Sequence, residues 1–161
     1  MARVRNLLAV VGIALLASAA CGGDSSSTAP TPAQGLSNGS MTATVDGVPW
    51  FASRFLTVQY QPNVGPFLIM GSDSLGTVIS LSTPAYQTGN FSACSGSLAC
   101  SFLSLQTSIN TWSAGLFSGS SGTLFLSVLT THNTVGTFSF VGVGADGTKK
   151  TVTNGAFSIT Y

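Results

Sequence analysis

Three cysteines, one histidine, four aspartates and no glutamate are the side chains on which chemistry could rest in this chain. A serine hydrolase needs a nucleophile, a base and an orienting carboxylate. Serines abound, but His132 is the sole imidazole and sits in Thr130-Thr131-His132-Asn133, a turn-like run. Asp46 and Asp146 each open an Asp-Gly pair, where turn geometry is reason enough for an aspartate. A glycosidase needs two carboxylates a few ångströms apart, and Asp24 and Asp73 offer no evident pair. Ser72-Asp73-Ser74 has oxygens for Ca²⁺ but a single carboxylate, which reads as a polar loop. No catalytic, metal or cofactor assignment follows. Trp50 and Tyr60 are expected to fill a core. Trp112 and Tyr86, in Ser/Thr-rich stretches, are the candidates for contact with a ligand such as a sugar ring.

The first cysteine has a different setting. Met1–Arg5 is short and basic, and Leu7–Ala20 is an apolar run of fourteen residues. A spanning helix needs about 20, so the segment reads as a signal peptide. Ala17, Ser18, Ala19 and Ala20 lead directly into Cys21. Small residues before a cut and a cysteine after it resemble the lipobox of bacterial lipoproteins, although Ser18 stands where that motif most often has Leu. The resemblance implies a diacylglycerol thioether on Cys21, commonly with a third acyl chain on its amine. Two or three chains, each worth about 0.8 kcal/mol per buried CH₂, anchor a protein stably. Gly22, rather than Asp, follows Cys21, which points to the outer membrane if the source has one. Residues 21–39 are rich in Gly, Ser, Thr and Pro and read as the lipidated cysteine and a flexible tether. The domain proper is expected over 40–161.

Cys94 and Cys100 then remain as a pair, separated by Ser-Gly-Ser-Leu-Ala. In an exported chain this spacing suggests a disulfide that clips a hairpin or a short loop. A catalytic dithiol usually has the shorter C-x-x-C spacing, and two thiolates alone make a poor zinc site.

Charged residues are 6% of the chain and hydrophobic ones 44%. Once Arg3 and Arg5 leave with the signal peptide, Arg54, Lys149 and Lys150 face four aspartates. No basic stripe is left for phosphates, which argues against nucleic acid.

The pattern is β throughout. Met41–Val45 and Val48–Ala52 flank Asp46-Gly47, a strong hairpin signal. Pro49 marks an edge strand. Phe55–Tyr60, Phe67–Gly71 and Thr77–Ser82 follow, then the cysteine pair with strand-like flanks. Residues 107–121 read as a connection. Gly122–Leu129, Val135–Val143, Lys149–Thr153 and Ala156–Tyr161 complete the meander, with turns at His132-Asn133, Asp146-Gly147 and Asn154-Gly155. About ten short strands predict an antiparallel β-sandwich or flattened barrel.

The stretches T-A-T-V-D-G-V-P-W (42–50), S-G-T-L-F-L-S-V (121–128), V-G-T-F-S-F (135–140) and V-T-N-G-A-F-S-I-T-Y (152–161) resemble a domain-of-unknown-function family of small bacterial envelope lipoproteins. The shared residues are turn glycines and core aromatics, so the resemblance implies an all-β fold and an envelope location but no activity. The expectation is a non-catalytic envelope domain, structural or binding, held to the membrane through lipid on Cys21. A glycan or an envelope protein is the candidate partner, and a hydrolase with an unrecognised site is the competing class.

Overall fold

The structure is a computed structural model and describes residues 38–59, 66–84, 86–94 and 100–161. Among these residues there is no helix. The strands are β1 (Asn38–Val45), β2 (Val48–Phe51), β3 (Phe55–Gln59), β4 (Phe67–Ser72), β5 (Val78–Thr83) and β6 (Gly89–Ser92), then β7 (Phe102–Gln106), β8 (Thr111–Ala114), β9 (Ser121–Leu129), β10 (Asn133–Gly144) and β11 (Lys149–Thr160). They form one antiparallel sheet of eleven strands that curls into a half-barrel.

Alternation builds the inner face. Ile79 and Leu81, Leu103 and Leu105, Leu124 and Leu126 are all buried in a single core, because period-2 side chains share a face. The main path runs β2-β1-β11-β10-β8-β7-β5-β4-β3. One edge of β10 pairs β11. Its other edge pairs β9 along Thr134–Val141 and β8 at Val143 and Gly144. The sheet therefore branches at β10, and β6 extends the β9 branch. The two ends of the path, β2 and β3, are consecutive in sequence. The Ala52–Arg54 link stitches the seam: the Ala52 amide donates to the Met41 carbonyl, and the Ser53 and Arg54 amides to that of Ser72 (2.9, 3.0 and 2.9 Å).

The Asp46-Gly47 hairpin forms with φ of 48° and 83°, the left-handed pair that a two-residue primed turn requires. Pro49 lies on β2 at an end of the path, as an edge proline must. Three features differ from the sequence expectation. Strand β1 begins at Asn38, inside the stretch read as tether. Residues 107–121 contain β8, whose Thr-Trp-Ser-Ala run is too short to stand out between serines and glycines. Asn154-Gly155 is not a turn: β11 runs straight through it as a β-bulge, with register shifts against both β1 and β10. Asn154 keeps the left-handed φ of 50° that its type tolerates. Gly155 lies so close to Phe138 that a Cβ there would fall 2.5 Å from its carbonyl oxygen and ring. Two long partners outweigh a local turn signal.

Of the two settings expected for the cysteine pair, a clipped hairpin and a clipped short loop, the flanking strands rule out the first. Cys94 and Cys100 are disulfide-bonded, with Cα atoms 5.3 Å apart, but their flanks belong to different branches. β6 pairs β9, whereas β7 pairs β5 and β8. A parallel bridge, Ala93 to Ser101, joins them. The bond closes a short loop between branches. Replacing both cysteines by serine is expected to cost about 2 kcal/mol. Thermal melting should register this as a lower Tm with an unchanged far-UV spectrum.

Candidate functional site

The register sorts the molecule into two poles. Lys149, Gly144, Thr111, Gln106, Val78, Ser72 and Phe55 line up to within a residue across neighbouring strands at one end, and Val45, opposite Val152, ends β1 toward the same end. The β1–β2, β4–β5, β7–β8 and β10–β11 turns cap this turn pole. At the opposite end Asn38 pairs Thr160, and Thr160 pairs Asn133. The described chain enters there, at the entry pole.

All six charged residues among the described ones, Asp46, Arg54, Asp73, Asp146, Lys149 and Lys150, lie at the turn pole. Each carboxylate is engaged. Lys150 Nζ donates to Asp46 at 2.7 Å, and the Thr151 amide donates to the other Asp46 oxygen at 2.8 Å. Asp73 Oδ1 accepts the Leu75 and Thr77 amides at 2.9 and 2.8 Å, closing its turn. Asp146 Oδ1 accepts the Thr148 hydroxyl at 2.6 Å and amide at 3.0 Å. That hydroxyl in turn accepts the Trp112 indole N–H at 2.8 Å, and the Lys150 ammonium lies 5.5 Å from the Trp112 ring centre.

These contacts hold two aspartates below the ordinary carboxylate range. For Asp46 the Lys150 hydrogen bond is the main cause, followed by the Thr151 amide. For Asp146 it is the Thr148 hydroxyl, then its amide. A depressed folded-state pKa contributes stability above the unfolded value near 4 and loses it as pH falls through the folded value. The Asp46–Lys150 pair is more than a third exposed, at 39% and 36%, so screening keeps its share below about 1 kcal/mol. Melting temperatures taken between pH 6 and pH 2.5 should therefore fall at the acid end, and Asp46→Asn should flatten that fall. An unchanged profile would contradict the assignment.

The expected ligand contacts do not converge. Trp112 is a strand residue of β8, 7% exposed, with its N–H committed to Thr148. Its placement in an open loop is corrected: the ring seals the turn-pole end of the core. Tyr86 lies toward the entry pole, half-buried, edge-on to Phe67 at 5.8 Å between ring centres. Trp50 is buried, as expected for a core residue, and Tyr60 lies outside the described residues. His132 is exposed at the entry pole. Its Nδ1 contacts the Thr131 hydroxyl at 2.8 Å, and the length of β10 separates it from the Asp46 and Asp146 carboxylates. Cys21 lies outside the described residues.

What the sequence reading missed is the pole itself. Leu75, at 90%, and Ile109, at 84%, are the most exposed large apolar residues among those described. They occupy the tips of the β4–β5 and β7–β8 turns. Beside Ile109 a recess of about 270 Å³ opens between Asn110, Thr111, Gly144 and Asp146. Arg54 and Lys149 stand at the same pole, exposed and without a carboxylate within ion-pair distance among the described residues. No family model, curated protein or solved structure matches the chain.

Proposed function

We propose that this protein is a lipid-anchored, non-catalytic domain of the bacterial cell envelope with a binding or structural role. The observation that carries the reading is Cys21, placed after a basic start, a fourteen-residue apolar run and the small residues Ala17–Ala20. The Cys94–Cys100 disulfide supports export, since such bonds persist outside a reducing cytosol. The entry pole supports a tether as well: β1 starts there, at an end free of charged side chains among the described residues.

Growing cells with an alkyne-bearing fatty acid tests the assignment. The wild-type chain should take up label and the Cys21→Ser chain should take up none. Equal labelling of both would overturn it.

A further inference from the structure

The outer face of β9, β10 and β11 carries a trough at which regular strand alternation is broken. Alternation puts consecutive side chains on opposite faces, yet Thr153 and Asn154 of β11 are both exposed. The β11 bulge does this. It holds Asn154 at a left-handed φ of 50° and requires a glycine next to it, since a Cβ on residue 155 would meet Phe138. A regular strand needs neither. Bulges re-aim side chains, and backbone kept in a sparsely populated region points to a use for what it presents. Here it presents a hydroxyl and an amide side by side.

Both residues line a recess of about 540 Å³, together with Thr123, Phe125, Thr137 and Ser139. A second recess of about 290 Å³ shares Thr123, Ser139 and Thr153 with the first and continues toward Val141 and Thr151, so the two form one trough along the strands. From Thr137 to Val141 it follows β10 for roughly 13 Å. Its hydrogen-bonding groups are available. The Thr137 and Thr153 hydroxyls and the Asn154 amide have no hydrogen-bond partner among the described residues, and the Thr123 and Ser139 hydroxyls meet only each other, at 3.4 Å. Phe125, 41% exposed, adds an aromatic ring to the lining. No charged side chain lines either recess, because all six charged residues among the described ones lie at the turn pole.

This set of groups selects a ligand by its chemistry. Without a cation the trough has nothing to pair with phosphate, sulfate or carboxylate, and without a carboxylate it has nothing for a metal ion or an amine. One phenyl ring among hydroxyls is too little apolar surface for the packed centre of a protein interface. Hydroxyls and an amide both donate and accept, which matches a ligand that itself carries many hydroxyls, and an aromatic face takes the C–H side of a sugar ring. We propose that the trough binds a neutral oligosaccharide, with Phe125 against a sugar ring and Thr137, Thr153 and Asn154 hydrogen-bonded to its hydroxyls. The trough is longer than one sugar ring, so the ligand is a segment of a chain. That this chain is an envelope polymer rests on the binding role proposed above; the binding itself rests on the trough alone.

The chain from residue 21 onward, carrying Cys21→Ser, tests binding without any acyl chain, so the result does not depend on whether Cys21 is lipidated. Isothermal titration with neutral hexasaccharides of glucose, mannose, galactose and N-acetylglucosamine, at millimolar concentration, gives the affinity. A heparin hexasaccharide is the anionic control. Binding is expected to at least one neutral chain, with little dependence on salt, and not to heparin. Phe125→Ala should weaken it about tenfold, through loss of the stacking ring. Asn154→Gly keeps the left-handed backbone and should weaken it about fivefold, through loss of a neutral hydrogen bond. Ser158→Ala, exposed on β11 outside the trough, should leave it unchanged. Melting curves confirm that the variants fold. In a second measurement, the wild-type amide resonances that shift on titration should cluster at residues 121–125, 137–141 and 151–156. No binding of any neutral hexasaccharide, binding indifferent to Phe125→Ala and Asn154→Gly, a preference for heparin, or shifts centred elsewhere would each overturn the proposal. Oligosaccharide binding by a protein whose Cys21 takes up no fatty-acid label would remove the anchor and leave the trough standing.

Discussion

Cys21→Ser is expected to move the protein almost completely from the membrane fraction to the soluble fraction. The size of the effect follows from the anchor. A diacylglycerol thioether buries two acyl chains at about 0.8 kcal/mol per CH₂, far beyond what a single chain retains. No helix among the described residues is long and apolar enough to cross a membrane. Wild type should stay with the membranes through a high-salt wash and Cys21→Ser should not. A mutant that fractionates like wild type would mean that something other than lipid on Cys21 holds the chain.

The second large effect is expected at neighbouring residues of β9 with opposite outcomes. Leu126 has no exposed surface and lies in the core, whereas Phe125 is 41% exposed on the other face. Leu126 also sits opposite Gly136 of β10 and Gly89 of β6, so it is enclosed on both edges of its strand. Leu126→Ala removes buried methyl groups and leaves a cavity that two flanking strands prevent from collapsing. It should cost about 3–4 kcal/mol, a large part of the 5–15 kcal/mol by which domains are stable. Phe125→Ala should cost under about 1 kcal/mol. Urea denaturation followed by tryptophan fluorescence gives both numbers, because Trp50 and Trp112 are buried in that core. Similar losses at the two positions would mean that the inside–outside assignment of β9 is wrong.

The parts of the fold that were legible in the sequence are those set by neighbours in the chain. Asp46-Gly47 specifies its own left-handed turn, and Pro49 specifies an edge whatever the rest of the sheet does. Alternation in Val78–Thr83 and Ser121–Leu129 marks an inner and an outer face without reference to partners. What was not legible depends on remote pairing. Asn154-Gly155 has the composition of a hairpin turn, yet β1 and β10 flank it on both sides, and their continuous ladders turn the signal into a bulge. Trp112 reads as an open aromatic because serines and glycines surround it in sequence; its burial comes from the β10–β11 turn, some thirty-six residues later, whose Thr148 takes its N–H. The turn pole was invisible for the same reason. Positions 46, 54, 73, 109 and 146–150 look scattered until the register brings four turns to one end.

The pairing of β1 with β11 sets the order in which this domain can be completed. Asn38 meets Thr160 across the full span of the described chain, a contact whose closure is delayed by loop entropy until every intervening strand exists. A polypeptide emerging amino end first delivers β1 and β2 as an isolated hairpin, which is marginal in water. β10 likewise has one whole edge open until β11 arrives. The last twelve-residue strand is thus the keystone of the sheet, inserted between two elements that otherwise have no reason to meet. Until it emerges, the two unpaired edges are templates for the wrong partner, so completion of the chain and protection from aggregation are the same event.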